Sequence, residues 1–376
     1  MGTAASVIKV LIVDDDAMCR DGLRQALTGL ADIEVIGVSP NGTLGLIKAR
    51  RQAPDLVLVA ASLTDVTPVD FTRAVLVDLA HTGILIAASD SPKDADATIP
   101  ALEAGAYDFV VKPDGQCRKE NIAAAQRLLV PKIRCFSIRR YSRLARRLTP
   151  TGRSNTDGAS LNAAPEATGT PETQLGDIRG RNRNRIEAVL VGASTGGPEA
   201  LSRLIPALPA NLAAPVVIVL HMPGPFTARM AAALDRASAL NVSEGADGDV
   251  LTPGHAYLAP GAQHLTVERN RNGALALRLL DGNTVSGCKP SVDLLFRSAA
   301  ETLGGRCLAV VLTGMGSDGT CGLTALKAHH APVLVQDEAT SIVWGMPGSA
   351  VHAGLADEIL PLDKIGPRVV DIVGSR

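Results

Sequence analysis

The sequence predicts an α/β protein built as two doubly wound parallel-sheet domains, and three observations carry that reading. The 376 residues exceed what one ordinary hydrophobic core organises, so two domains are expected. Short apolar runs alternate with helix-like segments on either side of a compositional break, and such alternation gives parallel sheets covered by helices. Aromatic residues make up 2% of a chain that is 46% hydrophobic. The cores must therefore be built from Val, Ile, Leu and Ala, which suit strands buried on both faces.

The first alternation spans residues 1–130. Val7–Val13, Glu34–Val38, Asp55–Ala60, Gly83–Ala88 and Tyr107–Val111 read as five short strands. Helical periodicity marks 17–27, 43–50 and 120–129. LIVDDD places Asp14 and Asp15 at the end of the first strand, where two carboxylates can contribute to a Mg²⁺ site. Ser89 ends the fourth strand in ILIAAS, and Lys112 follows the fifth in FVVKP.

A break covers 131–185. Pro131 to Thr156 contains eight basic residues and no acid. Arg139–Arg147 admits two readings: a helix touching anionic lipid, an acidic receptor surface or nucleic acid, or a solvated extension of the preceding helix. A net charge of −1 gives no global attraction to polyanions, so the second is preferred, and neither nucleic-acid binding nor membrane insertion is expected. The following stretch, SNTDGASLNAAPEATGTPETQLGD, has almost nothing to bury and reads as a flexible linker.

The second alternation spans 186–376. Glu187–Gly192, Pro215–Leu220, Cys307–Thr313 and Pro332–Gln336 are its strongest strands. Between the second and third, a turn-rich stretch contains a hairpin, His264–Arg269 with Ala274–Leu280, around Asn272-Gly273.

Three features of this half carry chemistry. Ser194 lies in GASTGG between a strand and a helix; small neighbours let such a turn expose a hydroxyl and admit a substrate. Alone, the motif could equally be a phosphate-binding turn or a tight connection. His221 ends the strand VVIVL, and in open α/β sheets the functional crevice lies beyond the carboxyl ends of strands. Ser194 and His221 would share that crevice. Asp318 sits in TGMGSDG after a further strand, where a carboxylate can hold an imidazole in the correct tautomer. An aspartate among glycines is otherwise a turn cap. Asp293, in an amphipathic helix, and Asp337, after another strand, compete for the same role. The chain order Ser, His, Asp differs from that of α/β-hydrolases, chymotrypsin-like proteases and subtilisins.

Six blocks, GASTGGPEAL, LHMPGPFTARMAAAL, DGDVLTPGHAYLAPGAQHL, KPSVDLLFRSAAE, LTGMGSDGTCGLTALKA and QDEATSIVWGMPGSAV, resemble the chemotaxis protein-glutamate methylesterase (CheB) family in the family's own order. The resemblance implies a Rossmann-like catalytic domain with a β-hairpin insertion. It implies Ser194 as nucleophile, His221 as base and Asp318, rather than Asp337, as orienting acid. The Met315 backbone N–H would serve the oxyanion hole, with the Thr195 side chain beside the nucleophile. The implied reaction is acyl transfer to Ser194 from glutamyl methyl esters of methyl-accepting chemoreceptor cytoplasmic domains, with glutamine deamidation as its variant. The resemblance implies neither cofactor nor metal. An esterase-like module acting only by binding, or the same chemistry on a receptor outside chemotaxis, are the alternatives. His255, His264 and Trp344 are expected to pack, and His329-His330 to be exposed.

Residues 7–130 resemble response-regulator receivers of flavodoxin-like fold through Asp14, Asp15, Ser89 and Lys112. In PDLVLVAASL, however, Ala60 occupies the place of the phosphate-accepting aspartate. A pseudo-receiver without a phosphoacceptor is expected, docked on the esterase or on a partner such as a histidine kinase or other signalling protein. The cysteines Cys19, Cys117, Cys135, Cys288, Cys307 and Cys321 form no CxxC pair and no metal spacing, which points to a reducing compartment. With no basic, apolar leader at the start, a cytoplasmic protein is expected.

Overall fold

A computed structural model describes residues 7–115, 117–148 and 185–375, without the side chains of 137–148. The stretch read from sequence as a flexible linker, 154–177, lies outside the described residues.

The first unit runs β1 (Ile8–Val13), α1 (Ala17–Leu27), β2 (Ile33–Ser39), α2 (Gly42–Gln52), β3 (Leu56–Ala60), α3 (Pro68–Asp78), β4 (Gly83–Ala88), α4 (Pro92–Glu103), β5 (Asp108–Val111) and α5 (Arg118–Leu148). Its five strands are all parallel, in the order β2-β1-β3-β4-β5. β3 and β4 are buried along their whole length, as strands covered on both faces must be. Helix starts follow local chemistry. Thr67-Pro68 and Ser91-Pro92 open α3 and α4 with a hydroxyl cap and a proline in the first turn.

The second unit runs β6 (Ala188–Ala193), α6 (Gly197–Leu204), β7 (Val216–Leu220), α7 (Gly224–Ala237), β8 (Asn241–Glu244), β9 (His255–Leu258), β10 (His264–Arg269), β11 (Leu275–Leu280), α8 (Val292–Leu303), β12 (Cys307–Val311), α9 (Thr320–Ala328), β13 (Val333–Gln336), α10 (Gly345–His352), β14 (Glu358–Leu360) and α11 (Leu362–Val373). Seven parallel strands are ordered β14-β13-β12-β6-β7-β9-β8, and β10 and β11 pair separately as an antiparallel hairpin. From β6 the chain builds outward through β7, then returns to place β12 on the other side. That reversal opens a crevice at the carboxyl ends of β6 and β12.

The boundary expected at 130/131 falls inside α5 and is corrected by the structure. The helix continues through Pro131 to Leu148. Leu129 and Ile133 are fully buried, and Phe136 packs edge-on against Tyr107 at 5.1 Å between centroids. This 129, 133, 136 stripe has helical spacing, but the dense positive charge hid it. A Cβ on Gly83 would stand 2.7 Å from the Phe136 ring, so the first unit includes this turn of α5.

The two units share a packed interface. α4 lies on α7, with Arg229 paired to Asp96 at 2.5 Å. Phe109 of β5 stacks on Phe226 of α7, with centroids 4.5 Å apart. Buried residues of both units form one continuous apolar cluster there.

Candidate active site

The crevice is knitted by backbone bonds between strand ends. Ser194 N–H donates to the Thr313 carbonyl at 3.1 Å, and His221 N–H to the Ala193 carbonyl at 3.1 Å. Both residues therefore leave the sheet at the same level, on the neighbouring strands β6 and β7. Gly196 follows at φ +77°, and a Cβ there would meet the Ile342 side chain at 2.6 Å; only glycine fits this turn. Across the crevice, a Cβ on Gly314 would stand 2.9 Å from that of Ser194. The loop after β12 thus passes directly beside the serine. The Gly314 N–H is spent on the Val343 carbonyl. The Met315 N–H has no hydrogen-bond partner among the described residues, and its side chain is exposed.

His221 is held from the far side by Asp318, with Nε2 2.8 Å from Oδ2. Asp318 is buried and fully engaged. Oδ2 also accepts from Val292 N–H at 2.7 Å, and Oδ1 accepts from Ser291 Oγ at 2.9 Å and Asp293 N–H at 3.1 Å. These donors form the start of α8, where the helix dipole favours negative charge. Burial works against the ionised carboxylate, yet the His221 contact and the two backbone donors hold its pKa below the ordinary value. Burial likewise works against the charged imidazole. Asp318, then Cys288, outweigh it and push His221 up from 6.5 to about 9.

The competing aspartates are placed elsewhere. Asp293 is buried and accepts from the N–H groups of Gly319 and Gly322, capping α9 as Asp318 caps α8. Asp337 accepts from Thr340 N–H at 2.9 Å and Thr340 Oγ1 at 2.6 Å, closing its own turn. Thr195 is buried, and its carbonyl accepts from Thr313 Oγ1 at 3.0 Å. Its hydroxyl lies 3.4 Å from Lys132 Nζ of α5. That lysine also pairs with the buried Asp108, so α5 lies against the serine-bearing turn. Sequence reasoning counted Lys132 only as linker charge.

Cys288 is the other group reasoning from sequence missed. One ligand atom each of His221, Cys288 and Asp318 lie within 4.8 Å of one another. No spacing signal could have found it, because the three come from distant stretches. His264 is buried, with Nε2 2.9 Å from the Asn283 carbonyl; His255 stacks on Tyr257 and contacts Ser243. Trp344 is half-buried against His352, and His329-His330 are exposed.

In the first unit Asp14 is fully buried, with Oδ2 3.3 Å from Lys112 Nζ. Burial raises its pKa, and Lys112 offsets part of that. Asp15 is half-buried beside it, and Ala60 closes β3 with 1% exposure. The Ser89 hydroxyl bonds Asp94 at 2.7 Å and Ser91 at 2.9 Å. It is drawn into the first turn of α4 because Asp94, itself buried, needs donors there. Asp65, in the loop after β3, is tied to the start of α2. It takes bonds from Gly42 N–H, Thr43 N–H and Thr43 Oγ1, which hold its pKa near 2 against the opposing effect of burial.

Fold and site together define a hydrolase domain of the parallel α/β type joined to a receiver domain. The CheB methylesterase model matches residues 189–369, and the response regulator receiver domain model matches 10–124. The protein-glutamate methylesterase/protein-glutamine glutaminase of Trichodesmium erythraeum is 35% identical over 367 residues, covering 97% of this chain and 99% of that one. Its counterpart in Nocardioides sp. is 38% identical, covering 96% and 94%. The crystal structure of the Thermotoga maritima CheB methylesterase catalytic domain is 40% identical, covers 50% of this chain and 99% of that one, and has a TM-score of 0.49. The chain belongs to the CheB methylesterase family.

Proposed function

We propose that this chain hydrolyses methyl esters of glutamate side chains, and deamidates glutamine side chains, by acyl transfer through Ser194. The observation that carries the proposal is the His221–Asp318 contact at 2.8 Å, on a strand end adjoining that of Ser194. Ser194 Oγ attacks the ester carbonyl as His221 takes its proton; the tetrahedral oxyanion collapses and methanol leaves with that proton. Water, deprotonated by His221, then releases the glutamate carboxylate. With an amide, ammonia leaves instead. The Met315 N–H, one residue past the Gly314 that meets Ser194, supplies an oxyanion donor worth about 10²–10³-fold in rate. Thr195 shapes the rim.

The substrate fitting this reading is the cytoplasmic domain of a methyl-accepting chemoreceptor, and the protein would act in the cytoplasm; among the described residues no helix is long and apolar enough to cross a membrane. The receiver, lacking an acceptor at Ala60, would work as a docking module for the esterase domain or for a kinase or other signalling protein. Methanol release from methylated receptor fragments tests the proposal. Ser194→Ala should lower turnover by about 10⁶-fold; undiminished release by that variant would rule out the nucleophile.

A further inference from the structure

We infer that His221, Cys288 and Asp318 form an inhibitory site for a thiophilic divalent cation of the Zn²⁺ type. Their ligand atoms lie within 4.8 Å of one another, and they combine the imidazole, thiolate and carboxylate donors that Zn²⁺ prefers. Tetrahedral Zn²⁺ with bonds of about 2.0–2.3 Å separates its ligands by about 3.3–3.7 Å. The His221–Asp318 contact of 2.8 Å therefore opens by only about half an ångström to admit the ion. A thiolate and a carboxylate balance the charge of the cation, the thiol proton passing to solvent. His221 and Cys288 are both partly exposed, so water can enter as the fourth ligand.

Cys288 is held in place before any ion arrives. Val285 and Cys288 exchange two backbone hydrogen bonds, at 3.0 and 2.9 Å, across Ser286 and Gly287, which have φ of 53° and 77°. This is the tight two-residue turn with both central residues left-handed. Ser286 Oγ is tied to Asp293 Oδ2 at 3.0 Å, and the N–H groups of Asp293 and its neighbour Val292 hold Asp318. The sulfur and the carboxylate are thus anchored to the same helix start, and little ordering is needed on binding.

An ion bound here occupies the imidazole and draws Asp318 away from its orienting role. This inhibitory consequence rests on the proposed esterase mechanism; the binding itself does not. The test uses the full chain. Co²⁺, as a spectroscopic stand-in for Zn²⁺, should give thiolate charge-transfer absorption that is lost in Cys288→Ser and Cys288→Ala, both checked for folding by circular dichroism. In parallel, Zn²⁺ should inhibit methanol release, EDTA should restore it, and Mg²⁺ should have no effect. Cys288→Ser should raise the half-inhibitory Zn²⁺ concentration by more than about tenfold. Absence of the absorption, or its persistence in both Cys288 variants, overturns the site. Absorption that depends on Cys288 without inhibition by Zn²⁺ overturns the inhibitory role. If the wild-type chain releases no methanol at all, the esterase reading fails while the Co²⁺ spectra still decide the site.

Discussion

Replacing Asp318 by asparagine separates the roles of this carboxylate. Each of its oxygens faces a backbone donor: Oδ2 faces Val292 N–H at 2.7 Å, and Oδ1 faces Asp293 N–H at 3.1 Å. An amide NH₂ must therefore oppose one N–H, whichever way it turns. Leaving a buried donor unsatisfied costs about 1–3 kcal/mol. Losing the charge at the start of α8 adds up to about 2 kcal/mol, so the variant should lose about 1–5 kcal/mol in all. Ser291 can turn its hydroxyl to accept, which favours the NH₂ on the Oδ1 side and keeps an oxygen towards His221. The imidazole then retains an acceptor but loses its counter-charge. Turnover should fall towards the roughly 10⁴-fold loss known for asparagine in this role. Denaturant unfolding gives the first quantity, and methanol release at a temperature where the variant is folded gives the second. Turnover within about tenfold of wild type, with the stability loss present, would reduce Asp318 to a helix cap and refute its catalytic assignment. Asp337→Asn is the control and should leave turnover nearly intact.

Because His221 titrates near 9 rather than 6.5, kcat/KM should climb as pH rises through the alkaline side of neutrality, the base being the neutral ring; a plateau already reached at pH 7 would contradict the raised value. The same shift stabilises the fold fully below about 6.5 and loses that contribution as pH rises through about 9; the Tm difference between wild type and His221→Gln should shrink over that range. A small phosphodonor should leave no acyl phosphate on the receiver, since Ala60 has no carboxylate; mass spectrometry after incubation checks this, and label lost in Asp65→Asn or Asp70→Asn would contradict it. Phe109→Ala removes one partner of the stack on Phe226 at a cost of about 3–5 kcal/mol. Denaturant unfolding of the full chain checks this, and a loss below about 1 kcal/mol would show that the stack does not hold the two units together.

Much of this architecture was legible because its signals are local. Each strand is a short aliphatic run, and Ser194, His221 and Asp318 each follow one, so strand ends alone bring the serine and histidine into one crevice. Asp318 could be separated from Asp337 only by the family resemblance, because both are aspartates in turns after strands; the distinction lies in which helix start each one meets. The end of the first unit was misread because composition registers charge, whereas Leu129, Ile133 and Phe136 bury one narrow face of the same helix. Cys288 and Lys132 carry no local signal. Their importance arises from loops and helices brought together across more than sixty residues, as does the contact of Phe109 with Phe226. The bond of the Ser89 hydroxyl to buried Asp94 is a contact that its strand-end position does not announce.

The two neighbouring helix starts, where Asp318 caps α8 and Asp293 caps α9, bear on how decay of this activity could be recognised. A chain that had abandoned ester hydrolysis would still need both buried aspartates to keep two helix starts in place. Selection for folding alone would retain Asp318 long after selection for turnover had ceased. Ser194 and His221 carry no comparable structural duty as helix caps. In a descendant or a library of variants, survival of the aspartate therefore says little about chemistry, and the serine and the histidine are the positions whose loss would date the end of catalysis.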